Sequence, residues 1–203
     1  VIRGDDHINN TPRQINILNA LGAKIPVYAH LPMIHGPDGE KLSKRHGAIS
    51  VLEYKEEGYL PEALVNYLAR LGWGHGDDEL FSIEEFINWF SFSGCSKSAS
   101  RFDFEKLKWV NSNYLKKTST DELCCEISKR FLQKKINVLG GPPLSLVCEL
   151  LIDRVQTLEE LTNACEMFYL PIERVMNLSE IFKIEEYKKF SNTNKVILTE
   201  ALT

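Results

Sequence analysis

Val1-Ile2-Arg3-Gly4-Asp5-Asp6-His7, followed closely by Asn10-Thr11-Pro12-Arg13-Gln14, is the stretch on which the fold turns. Val1-Ile2 reads as the end of a buried strand. Thr11-Pro12 reads as a helix start, with Thr as N-cap and Pro at the first helical position, where a missing N–H costs nothing. Ile15, Leu18 and Leu21 fall on one helical face, and Gly22 closes the helix. Residues 27–34 form a second strand, and Pro37-Asp38-Gly39 is a turn in which Pro fixes φ and Gly permits a positive φ. Strand, helix, strand is a βαβ unit, which implies a parallel sheet.

Past Gly47 the pattern is helical almost throughout, so the chain as a whole is mainly α. Ser50-x-x-Glu53, Ser82-x-x-Glu85 and Thr157-x-x-Glu160 fit the capping box. Pro61 opens a helix whose Leu64, Tyr67, Leu68 and Leu71 make an apolar face, and Gly72 closes it. Asp103 caps a helix carrying Leu107 and Val110, and Leu123, Ile127 and Phe131 repeat at four-residue steps. Gly140-Gly141-Pro142-Pro143 is the clearest break. Helices over 146–154 and 158–168 follow it, with two weaker ones behind.

The bulk numbers narrow the class. Of 203 residues, 43% are hydrophobic and 26% charged, a globular balance that argues against disorder. No apolar run has bilayer length, and the first residues lack a signal-peptide pattern. A net charge of −4 neither requires nor excludes RNA, because positive charge can be gathered locally. The five cysteines (Cys95, Cys124, Cys125, Cys148 and Cys165) form no CxxC pair and have no histidine near enough to complete a zinc site. They read as buried free thiols in a reducing compartment.

Gly39-Glu40-Lys41-Leu42-Ser43-Lys44-Arg45-His46-Gly47 carries the strongest chemical signal. Three cations and a hydroxyl sit within five residues, between two glycines. Such a loop suits a polyphosphate: Lys brings compact charge, Ser a hydrogen bond, and Gly freedom to close. Positive charge at a departing pyrophosphate lowers the barrier to nucleotidyl transfer. On composition alone, a solvated basic loop is the simpler reading. So is a strand end for Asp5-Asp6, and a structural role for His30 and His35. Trp73, Trp89 and Trp109 read as core or interface residues. Lys129, Arg130, Lys134 and Lys135 fall close together on one helix and suit either RNA phosphates or solvent.

Lys41-Leu42-Ser43-Lys44-Arg45 resembles the KMSKS signature of class I aminoacyl-tRNA synthetases. Its surroundings resemble the bacterial-type glutamyl-tRNA synthetase family: the two opening stretches, Ala29-His30-Leu31-Pro32, Lys44-Arg45-His46-Gly47-Ala48, Gly58-Tyr59-Leu60-Pro61-Glu62-Ala63-Leu64, Asn66-Tyr67-Leu68 and Leu71-Gly72-Trp73. The matches run in order across roughly residues 1–115; beyond them the resemblance is looser, with Arg154-Val155-x-Thr157-Leu158 the best match.

The resemblance implies three parts. Residues 1–47 would be the C-terminal end of a Rossmann-like α/β catalytic domain with the signature loop. Residues 48–115 would be a helical connecting domain that follows the tRNA stem, and 116–203 an incomplete helical anticodon-binding region. It also implies roles. Lys44 would contact the ATP phosphates and the leaving pyrophosphate, aided by Lys41 and Ser43. Arg45, where the general motif has Ser, would contact tRNA. Arg3 would pair with the side-chain carboxylate of L-glutamate, Asp6 and His7 would lie near ATP and the tRNA 3′ end, and Ile34 would offer backbone groups to adenine. ATP with Mg2+, L-glutamate and tRNA(Glu) would be the partners of a cytoplasmic monomer, with no zinc site in this segment and no membrane contact. No HIGH-type motif occurs, so the chain reads as an internal or C-terminal fragment, inactive alone. The alternatives are a glutaminyl- or glutamyl-queuosine-type synthetase and a non-catalytic RNA-binding fragment.

Overall fold

The computed structural model describes residues 1–43, 50–139 and 141–170. Lys44, Arg45 and the two weak helices expected near the end lie outside the described residues. β1 (Ile2–Gly4) and β2 (Ala29–Leu31) pair in parallel, with Arg3 opposite His30. A 3-10 turn over Asp5–Asn10 and helix α1 (Thr11–Ala20) connect them, so the expected βαβ unit is present.

Three local expectations are corrected. Thr11 is not the N-cap: the 3-10 turn runs straight into α1, Asn10 takes the cap position with helical angles, and no side chain caps it. The Thr11 hydroxyl is thereby released for tertiary contacts. Residues 27–34 are not one strand, because Pro32 has no N–H to continue a ladder. β3 (Ile34–His35) instead pairs in parallel with β4 (Ser100–Arg101). Finally, Val1 and Ile2 remain 57% and 68% exposed. Among the described residues their sheet has two strands, and neither the 3-10 turn nor α1 contains a buried residue.

After β3 the chain folds back on itself. His35 bridges Lys41, the Gly36 N–H donates to the Glu40 carbonyl at 2.8 Å, and the Leu42 N–H donates to Ile34 at 3.0 Å. Gly39 has φ +85°, as the turn requires. Lys41 and Leu42 thus belong to a hairpin pinned by backbone bonds.

The rest of the described chain is helical: α2 (Val51–Glu56), α3 (Pro61–Gly72), α4 (Ile83–Trp89), α5 (Phe104–Leu115), α6 (Thr120–Gln133), α7 (Leu144–Leu151) and α8 (Leu158–Glu166). Ser50 and Ser82 close complete capping boxes with Glu53 and Glu85, and Asp103 accepts from the N–H groups of Glu105 and Lys106. The Thr157 box is half made: Thr157 accepts from the Glu160 N–H, but the Glu160 carboxylate takes the Gln156 N–H instead. Ser119 and Glu122 form a complete box that the sequence reading missed. On α3 the buried face is Ala63, Leu64, Asn66 and Tyr67, while Leu68 stays 43% exposed. None of the described helices is long and apolar enough to cross a membrane.

Two apolar cores result. One joins Tyr54, Tyr59, Ala63, Leu64, Tyr67, Phe102, Leu107 and Val110, with Ile34 and Leu42 packed against it. The other joins α6, α7 and α8 through Leu123, Ile127, Phe131, Val147 and Leu161, and takes in Leu115 from the end of α5. Trp73 is buried, whereas Trp109 is 39% exposed beneath the Lys106 ammonium. All five cysteines are free, yet only Cys148 and Cys165 are buried. Cys124 lies 4.0 Å from Cys148 by sulfur, and burial pushes its thiol up to about 11.

Leu60 touches both cores, and Asn111 locks that junction. Asn111 is fully buried; its Oδ1 accepts the Leu60 N–H at 2.8 Å and its Nδ2 donates to the Gln156 carbonyl at 2.6 Å. Asn111→Ala strands both backbone groups in the interior. The expected cost is about 2–4 kcal/mol, seen as a lowered urea midpoint at unchanged slope.

Candidate functional site

The C-terminal ends of β1 and β2 gather the polar side chains. Arg3 projects from β1 among neutral acceptors: Nη1 donates to Gln14 Oε1 at 2.8 Å and Nη2 to Thr11 Oγ1 at 2.6 Å. Its Nε lies 3.4 Å from His30 Nε2, which also sits 2.9 Å from Thr11 Oγ1. The guanidinium stands over the Tyr28 ring, 5.1 Å from its centre. Among the described residues no carboxylate pairs with Arg3. A half-buried cation, oriented by neutral groups and left with its charge uncompensated, is preset for an anionic ligand. The sequence missed Thr11, Gln14, Tyr28 and His30 as this supporting ring, although all four lie in stretches singled out for other reasons.

The second cluster sits one turn further on. Lys41 Nζ donates to Asp6 Oδ2 at 3.1 Å, and His7 Nε2 lies 3.9 Å from Asp6 Oδ1. The hydrogen bond from Lys41 is the main cause that holds the Asp6 carboxyl below its usual range, with the Lys41 and His7 charges adding to it. Gly4 is part of the arrangement, because a Cβ there would come within 2.6 Å of Asp6 Oδ1. Lys41 and Asp6 are both well exposed, so their pair is weak and readily exchanged for phosphate.

Asp6, His7 and Lys41 are therefore brought together, with Arg3 on the strand that precedes the turn carrying Asp6 and His7. Ile34 sits on β3 against the first core, with its carbonyl already accepting from Leu42. Ser43 ends the described stretch. The expected basic patch is not presented as one surface. Arg130 is turned inward, to Glu159 and to the carbonyls of Lys55 and Glu56, and Lys134 to Glu159, Glu166 and Asn163. Lys129 pairs with Glu126 along its own helix, and Lys135 lies beyond the helix end at φ +57°. Among the described residues no cluster of His, Cys, Asp or Glu has metal-binding geometry.

The family model for tRNA synthetases class I (E and Q), catalytic domain, matches residues 1–109, which covers β1 through the first half of α5. The chain belongs to this class I synthetase family. Aminoacyl-tRNA synthetases are ligases of protein biosynthesis. The chain is 58% identical over 176 residues to a glutamate–tRNA ligase of Nitrosospira multiformis, and 54% over 172 residues to one of Azoarcus sp.. These alignments take in 85% of this chain but 38% and 37% of those proteins, so the chain spans well under half their length. Two solved structures share the fold at 30% identity. One is a glutamate tRNA ligase of Elizabethkingia meningosepticum in complex with its amino acid, with a TM-score of 0.72 over 85% of this chain and 38% of that one. The other is the glutamate–tRNA synthetase of Elizabethkingia anophelis, with a TM-score of 0.73 over 85% and 39%. The βαβ unit and the hairpin over 34–42 both fall within the matched region.

Proposed function

We propose that this chain serves the ATP-dependent ligation of L-glutamate to tRNA(Glu) through a glutamyl-adenylate, supplying the signature-loop side of the site and contacts to tRNA. The observation that carries the reading is the 58% identity to a glutamate–tRNA ligase over 176 residues. In the first step a glutamate α-carboxylate oxygen attacks the α-phosphorus of ATP, and pyrophosphate leaves. In the second, a terminal ribose hydroxyl of tRNA attacks the glutamyl carbonyl, and AMP leaves. No side chain forms a covalent bond; the protein positions the reactants and stabilises charge.

Arg3 is the group for the substrate's side-chain carboxylate. Lys44 stabilises the departing pyrophosphate, with Lys41 and Ser43 shaping the loop. Asp6 and His7 border ATP, and Mg2+ entering with ATP would neutralise phosphate charge. Arg45, Lys129 and Lys135 remain the candidate tRNA contacts. The helical run from α6 to α8 favours glutamate over glutamine as the amino acid, since the glutaminyl family reads anticodons with β-barrels. Residues 1–47, 48–115 and 116–203 serve as catalytic-domain end, connecting domain and anticodon-binding region.

The test is glutamate-dependent ATP–pyrophosphate exchange by the full-length protein with tRNA(Glu) present, run beside Arg3→Gln. The variant loses a charge-assisted pair. The glutamate KM is expected to rise about tenfold or more, and preference over glutamine to shrink. Exchange driven equally by glutamine in the wild type would sink the reading. A uniform loss with discrimination intact would make Arg3 a structural residue of β1.

A further inference from the structure

We infer that Arg130 is a positioning residue for the nucleotide site, acting through helix α2 rather than on RNA; this rests on the functional reading above. α2 follows the signature stretch in the chain and begins at the Ser50 capping box. At its far end the Lys55 carbonyl accepts from the Gly58 N–H at 3.1 Å, while the Glu56 carbonyl is left over by the helix. Arg130, from α6, reaches both: Nη1 donates to the Glu56 carbonyl at 3.1 Å and Nη2 to the Lys55 carbonyl at 3.0 Å. A cation at a helix C-terminus is also favoured by the helix dipole. Glu159, from α8, holds the same guanidinium as an ion pair, and the Arg130 side chain is only 18% exposed. One fork thus ties α2 to two helices outside the region that the family model matches.

The grip has a second point. The Leu158 N–H, at the start of α8, donates to the Gly58 carbonyl at 2.9 Å. Gly58 sits at φ +85° with the α8 backbone so close that a Cβ would lie 2.8 Å from the Leu158 nitrogen. The turn that ends α2 is therefore fitted against α8, while Arg130 clamps its last carbonyls. On the other side of the signature stretch, Leu42 is fixed by its bond to Ile34 and by the first core. Tyr54 of α2 belongs to that same core, so the grip of Arg130 on α2 bears on the packing of Leu42 beside Lys41. A surface lysine can neutralise a phosphate equally well, but the planar guanidinium holds two adjacent carbonyls and a carboxylate in fixed directions that a freely rotating ammonium does not impose.

The experiment uses the full-length protein with Arg130→Ala and Arg130→Lys, and reads three quantities: amide hydrogen exchange over 51–57, the ATP KM and kcat of pyrophosphate exchange, and the Kd for tRNA(Glu). With Ala, exchange in α2 is expected to speed up about tenfold while the α3 amides hold, the loss of charge-assisted bonds being local. The ATP KM should rise severalfold, with tRNA affinity within about twofold. Lys should stay near the Ala level, because it restores charge without the fork. Unchanged α2 exchange would overturn the inference. So would lost tRNA affinity with a normal ATP KM, especially if Lys repairs it, since that marks a phosphate contact. If Arg130→Ala does not fold, Glu159→Gln loosens the same fork and is read the same way. A wild type inactive with glutamate would refute the functional reading, while the α2 exchange would still decide the role of Arg130.

Discussion

Lys44→Ala in the full-length protein is expected to slow glutamate-dependent ATP–pyrophosphate exchange about a hundredfold or more while the glutamate requirement changes little. The argument runs through charge. When the α-carboxylate of glutamate attacks ATP, negative charge builds on the oxygens of the departing pyrophosphate. An ammonium aimed there stabilises the transition state more than the ground state, and its removal costs on the order of 3 kcal/mol. Lys41 is expected to matter less. It holds only a weak, exposed pair with Asp6 at 3.1 Å, which a phosphate readily displaces, so it serves ATP binding more than the departing charge. The two lysines are separated by running the exchange at saturating ATP: the Lys44 loss should persist in kcat, and the Lys41 loss should be largely recovered. A Lys44→Ala enzyme of near-normal rate would remove the polyphosphate reading of the signature stretch.

The βαβ unit was legible because Pro12 and Gly22 punctuate α1 and the flanking strands are short apolar runs. What was not legible depended on partners distant in sequence. β3 and β4 are two residues each, too short to show alternation, and each exists only because the other does. Thr11 looks like a helix cap from its neighbours. It is displaced from that role by the 3-10 turn before it and taken up by Arg3 and His30. The same holds for the basic stretch of α6. Lys129, Arg130, Lys134 and Lys135 read as a solvent or RNA face because helical spacing ignores what packs alongside. Glu159 and Glu166 of α8 convert two of them into a seam between helices. At the candidate site, residue types alone suggested only an anion. Arg3 and the signature lysines acquired specific roles from the resemblance to a family. The geometry adds that Arg3 has neutral neighbours and no acidic partner among the described residues.

Gly58→Ala is expected to be the most damaging of the small substitutions, at about 3–4 kcal/mol, or a fall in Tm of roughly 10 °C for a domain of this size. Two costs add. An L-residue at φ +85° costs about 1–2 kcal/mol on its own. The new methyl would also collide with the backbone of Leu158 and Glu159 at the start of α8. The two segments must then part, which breaks the bond from the Leu158 N–H to the Gly58 carbonyl and loosens the pairing of Glu159 with Arg130. A backbone hydrogen bond lost at a buried seam costs about a further 1–3 kcal/mol. Gly76 supplies the comparison. It too has a positive φ, at +53°, but nothing lies within 4 Å of where its Cβ would be. Gly76→Ala should therefore lose only the conformational cost, about 1–2 kcal/mol. Thermal unfolding of both variants separates the costs: the excess at Gly58 measures the close approach of α8. Equal losses at the two glycines would mean that α8 yields without strain, and that the α2–α8 contact is not a fixed point of the fold.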